Sequence, residues 1–132
     1  MPVILYVLLT LALLPFLLTW LGAFLRIRQF GHLDNNTPRL QQAALTGVGA
    51  RVQGAQANAW EALLIFTVVT FTAFVAGVPL ASLSSVALLF LALRLLHAVL
   101  YIANFAWSRS WVFVAGILCC LYIVYLAVQV SG

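Results

Sequence analysis

The sequence predicts an all-α integral membrane protein, a single domain over residues 1–132 built as a bundle of four transmembrane helices. Composition is the first reason: 66% of the residues are hydrophobic and 6% are charged, where ordinary soluble chains carry about a quarter charged residues. The apolar residues also fall in runs long enough to cross a bilayer, which takes about 20 residues of helix. The long middle run is divided by Gly77-Val78-Pro79. A helix stops there because proline lacks an amide hydrogen and restricts the residue before it.

The first helix is expected over about 3–25. Met1-Pro2 places no basic residue ahead of the run, and the run outlasts a usual signal-peptide core, so it reads as a retained transmembrane helix. The first connection, about 26–42, is the only long one. Within it Asp34-Asn35-Asn36 marks a turn, Thr37 offers an N-cap, and Pro38 suits the first helical position. The second helix is expected over 38–76, with a break near Gly47-Val48-Gly49 as the alternative. Ala43, Gly47, Ala50, Gly54 and Ala57 recur along it at spacings of three and four. Such a seam lets helix backbones approach closely inside membranes, and it points to a homo-oligomer. The third and fourth helices are expected over 80–106 and 110–130. Cys119 and Cys120 are adjacent in the last, where they cannot form an ordinary disulfide with each other and lack metal-ligand spacing, so they read as packing or lipid-facing residues.

All six basic residues are arginines. Arg26, Arg28, Arg39 and Arg51 lie in or beside the first connection and Arg109 in the third, while the connection at Gly77-Val78-Pro79 has no charge. The positive-inside rule puts the arginine-rich connections in the cytoplasm and both termini on the opposite side. Trp20, Trp60, Trp107 and Trp111 fall near the arginine-rich side, as an interfacial belt would. The net charge of +4 is therefore a topology signal. With no lysine and no soluble basic face, no nucleic-acid partner is expected.

Chemistry concentrates on two stripes. Arg51, Asn58 and Glu61 fall within a third of one helix circumference at about 100° per residue, and Glu61 leads into Ala62–Leu93, which carries no formal charge. On the third helix Arg94, His97, Tyr101 and Asn104 repeat the same offsets. Two such helices side by side would enclose a polar groove in which Glu61 could pair with an arginine. Arg51 and Arg109 lie close enough to the boundary to snorkel, but Glu61 and Arg94 lie deeper and need a partner. An ion pair that fixes helix register and a binding site both account for them. His97 has no neighbours at metal-ligand spacing, so no metal is expected.

The two spaced motifs resemble the MAPEG family, the membrane-associated proteins of eicosanoid and glutathione metabolism. Its members carry Arg-x-x-Arg-Ala-x-x-Asn-x-x-Glu on the second helix, and here the stretch from Arg51 to Glu61 matches except that Gly54 stands at the second arginine. The microsomal glutathione transferase and prostaglandin E synthase type carry Arg-x-x-His-x-x-x-Tyr on the third, matched by Arg94, His97 and Tyr101, and an arginine just before the fourth, matched by Arg109-Ser110. The resemblance implies a homotrimer that binds glutathione as co-substrate between subunits. Arg51, Gln56, Asn58, Glu61, Arg94, His97 and Tyr101 would line the site, and Arg109 would stabilise the thiolate.

Three functions are then in view. The first is a glutathione-dependent transferase or peroxidase acting on lipophilic electrophiles that arrive from the membrane lipid. The second is a non-catalytic lipid- or thiol-binding or scaffold protein of the same fold, suggested by Gly54. The third is a small four-helix proton-coupled transporter using Glu61, against which Arg51 and Arg94 argue because they would oppose a cationic substrate.

Overall fold

The computed structural model describes the whole chain, Met1–Gly132. It is all-helical: α1 (Val3–Phe30), α2 (Pro38–Ala43), α3 (Gly47–Val75), a 3₁₀ turn (Leu80–Leu83), α4 (Ser84–Ile102) and α5 (Ala106–Ser131). Four helical segments are long and apolar enough to cross a membrane: α1, α3, the 3₁₀ turn with α4, and α5. Helix α3 is central and packs on α1, α4 and α5.

Each long helix buries one stripe. On α1 that stripe is Ile4, Val7, Leu11, Pro15, Leu18, Gly22 and Arg26, while Leu9, Leu13, Leu17 and Phe24 on the other side are exposed, as a lipid-facing surface would be. At the end of the bundle near Gly77 the core is bulky. Ile4, Val7 and Leu11 meet Phe66, Leu83, Phe90 and Ile123, and the Phe66 and Phe90 rings stack with centroids 4.2 Å apart. Toward the arginine-rich end the core narrows to Leu18, Ala55, Ala59 and Ala98. Small side chains there bring α1, α3 and α4 close, and polar groups take over the packing.

The helix ends follow from specific partners. Helix α3 stops where Gly77 adopts φ +86°. The Val78 amide donates to the Ala73 carbonyl and the Gly77 amide to that of Phe74, a Schellman cap that needs a left-handed residue. Helix α4 ends the same way on Asn104, the one non-glycine residue with positive φ, with Phe105 donating to Leu100 and Asn104 to Tyr101. This cap ends α4 at Ile102, short of the expected 106, and takes Asn104 off the third-helix stripe. Helix α5 in turn starts at Ala106, so Arg109 lies in its first turn instead of in a connection.

The segment expected as one helix over 38–76 is two. Between α2 and α3 the Ala44 carbonyl accepts from Gln29 Nε2 at 3.2 Å, and the Thr46 amide donates to Gln29 Oε1 at 3.1 Å. One side chain from α1 thus satisfies the backbone groups that the break releases. The first helix likewise runs on to Phe30, past the expected 25, and so carries Gln29 to this position. Arg26 is buried and donates to Gln41 Oε1, which also accepts from the Asp34 amide, while Gln41 Nε2 donates to the His32 carbonyl. Thr37 stands at the N-cap of α2 and Pro38 at its first position, but Thr37 makes no side-chain cap bond. Its hydroxyl donates to Asp34 Oδ2 at 2.6 Å instead.

Asp34 also accepts the Asn36 and Thr37 amides. The Thr37 hydroxyl first, and then the two amides, hold its carboxyl below the ordinary carboxylate range. A depressed acid stabilises the turn above its unfolded value and loses that contribution as pH falls through the folded one. Hydrogen-exchange protection of the Asn36 and Thr37 amides in detergent is therefore expected to be steady near neutrality and to fall below about pH 4. Protection that is unchanged in Asp34→Ala would refute this account of the turn.

Candidate functional site

Asn58 on α3 and Arg94 on α4 meet across the interface, with Arg94 Nη2 donating to Asn58 Oδ1. The same nitrogen lies 3.2 Å from His97 Nδ1, one turn along α4. A guanidinium only donates, so Nδ1 accepts and the neutral ring carries its proton on Nε2. Arg94 and His97 are 4% and 3% exposed, and Arg94 Nε is buried with no partner. This cluster is the polar centre of an otherwise apolar bundle.

Two cavities flank it, both lined by Asn58. The outer one, about 310 Å³, is lined by His97, Tyr101, Arg109, Ser110 and Phe113. The inner one, about 60 Å³, holds Glu61 and Arg94 against Phe90, Phe113, Gly116 and Cys120. Asn58 thus joins a polar mouth to a mostly apolar pocket deeper along α3. Arg109 rests on Tyr101, its guanidinium carbon 4.0 Å from the ring centre, and Tyr101 meets His97 edge-on with centroids 5.8 Å apart. No side chain caps the N-terminus of α5, so the positive end of that helix and Arg109 together favour an anion here.

The structure gathers Asn58, Glu61, Arg94, His97, Tyr101 and Arg109 around these two cavities. It does not gather Gln56, which is buried against α1 with Nε2 donating to Thr19 Oγ1, while Thr19 donates to the Pro15 carbonyl. Five residues from Arg51 is about 140° around a helix, so this separation follows from helical spacing alone. Arg51 stands at the end of the stripe, where its Nε donates at 2.8 Å to the carbonyl of Ile102, the last residue of α4. Glu61 forms no ion pair within the chain, contrary to the expected pairing, because Arg94 turns to Asn58 and His97 instead.

The place of the missing arginine is filled. A Cβ built at Gly54 would lie 2.6 Å from Tyr101 Cζ, so any longer side chain must displace the ring. Sequence reasoning also missed Phe113, Gly116 and Cys120. They continue from Arg109 down α5 at spacings of four, three and four, a helical stripe that could have been followed from the arginine.

Comparison with known proteins gives one match. A family model described as the MAPEG family covers residues 3–129. No curated protein and no solved structure matches the chain.

Removing Asn58 leaves a buried guanidinium N–H without its acceptor. Asn58→Ala is expected to cost about 1–3 kcal/mol, the usual penalty for an orphaned buried donor, measured as lower thermal stability in detergent. Leu13→Met, on the exposed face of α1, is expected to leave stability unchanged. Equal effects of the two would show that the Asn58–Arg94 bond does not hold the bundle.

Proposed function

The chain belongs to the MAPEG family, and from that premise we propose that it is a glutathione-dependent membrane transferase or peroxidase acting on lipophilic electrophiles. Membership makes it an integral multi-pass membrane protein of a family tied to glutathione and eicosanoid chemistry. The specific activity rests on the cluster that joins Asn58, Arg94, His97, Tyr101 and Arg109 beside Glu61. In motif it resembles the microsomal glutathione transferase and prostaglandin E synthase type.

Glutathione offers two carboxylates, one ammonium and a thiol. Arginines suit the carboxylates and Glu61 suits the ammonium. Arg94 keeps a buried Nε without a partner, and Glu61 is exposed on the single chain, so the donor set fits a charged ligand of both signs. An unperturbed thiol has a pKa of about 8.5 and is a weak nucleophile at neutral pH. Arg109, in the first turn of α5, would favour the thiolate. The attacking sulfur would then meet an apolar electrophile supplied from the bilayer.

The exposure of Ala50, Ala57 and Glu61 on one side of α3 supports a homotrimer in which a neighbouring subunit completes the groove. A carboxylate facing lipid would be costly, and a second subunit removes that exposure. The arginine-rich connections face the cytoplasm in this reading, with both termini on the other side. A second reading, a non-catalytic thiol- or lipid-binding protein, is favoured by Gly54. With Tyr101 in that place, the groove has one cation fewer than the family pattern.

Bound glutathione is expected to show thiolate absorbance with a midpoint below about 8.5, and Arg109→Ala should return the midpoint toward that value, each pH unit being worth about 1.4 kcal/mol. Thiolate formation without conversion of a model electrophile would select the non-catalytic reading. No glutathione binding would reject the enzyme and the thiol-binding form of the second reading, leaving lipid binding.

A further inference from the structure

We propose that Gly54, Tyr101 and Arg109 act as one positioning unit. Gly54 seats the Tyr101 ring against α3, and the face of the ring holds the Arg109 guanidinium at the outer cavity. Three observations carry this. A Cβ at position 54 would lie 2.6 Å from Tyr101 Cζ and 2.9 Å from Cε1, so the ring occupies space that every other residue type would take. The Arg109 guanidinium carbon sits 4.0 Å from the ring centre, within cation–π range. His97 braces the ring from a second side and is itself tied to Arg94.

The arrangement answers a physical problem. A cation in the first turn of a helix faces the positive end of the helix dipole, and arginine has a long, flexible stem. The negative face of an aromatic ring offsets the first difficulty and narrows the range of the second. Alanine is the better helix former at an interior position, so a glycine at 54 points to the close approach of the ring. Gly54 therefore creates, in place of a second guanidinium, a seat that fixes the one at 109. Tyr101 and Gly54 are positioning residues, acting on any ligand through Arg109. The consequence for thiolate formation rests on the glutathione reading, but the stack itself does not.

The test uses the full chain in detergent or nanodiscs. The rate at which a phenylglyoxal reagent modifies Arg109 is followed by peptide mass spectrometry, with exposed Arg39 as reference and buried Arg26 as a monitor of unfolding. Gly54→Ala and Tyr101→Leu are each expected to raise the Arg109 rate about two- to fivefold, the scale of a part-exposed cation–π contact. Tyr101→Phe, which keeps the ring, should leave the rate at the wild-type value. With glutathione added, the thiolate midpoint should rise in the first two variants and be restored in Tyr101→Phe. If Arg26 also becomes reactive in Gly54→Ala, the Leu and Phe variants at 101 decide. An Arg109 rate that is the same in Tyr101→Leu and Tyr101→Phe overturns the proposal. Absence of any thiolate signal in the wild type would overturn the glutathione reading, while the labelling rates would still decide the stack.

Discussion

One buried guanidinium organises the polar half of this bundle. Arg94 lies almost sealed between α3, α4 and α5, and a cation in such surroundings must find acceptors inside the protein. It takes Asn58 from the facing helix and His97 from its own. That choice sets which residues oppose each other further along the interface. One turn before Asn58, α3 presents Gly54, and about two turns after Arg94, α4 presents Tyr101, so the ring meets the position without a side chain. Helix α5 begins just beyond the cap of α4 and sets Arg109 on the outer face of that ring.

The two ends of the bundle are held by different means. Near Gly77 the helices are joined by bulky apolar packing, including the Phe66–Phe90 stack, and the turn satisfies its own backbone groups. At the arginine-rich end, side chains from one element bond the backbone of another. Arg51 closes the end of α4, Gln29 spans the break between α2 and α3, and Gln41 ties the first connection to α1. These bonds compensate for the thin core of small residues beneath them. They also leave the groove open along α3, where Glu61 stays unpaired within the chain.

Much of the architecture was legible beforehand because a bilayer leaves few options. Apolar runs, their interruption at Gly77-Val78-Pro79 and the two offset stripes were enough for four spanning helices and for Asn58, Arg94, His97 and Tyr101 on one interface. Other features were not legible. The faces of α1 are nearly equally hydrophobic, so its burial stripe depends on what packs against it. The break at Ala44–Thr46 exists because Gln29 supplies distant partners, and α4 ends early because Asn104 accepts a left-handed conformation. The resemblance implies Gln56 in the site, but its helical phase turns it toward Thr19 on α1.

The sequence by itself determined that the chain is an all-helical membrane protein with its charges at one end, since burying backbone and charge in lipid allows little else. Its motifs also pointed to the family. Only the tertiary structure decided how the scarce polar groups pair. Arg94 could have met Glu61 but meets Asn58 and His97, and Gly54, where the family motif has an arginine, receives Tyr101. The physical reason is that pairing inside a bundle depends on the rotation and depth of each helix, which are set by the packing of the whole and are not encoded in any one stripe.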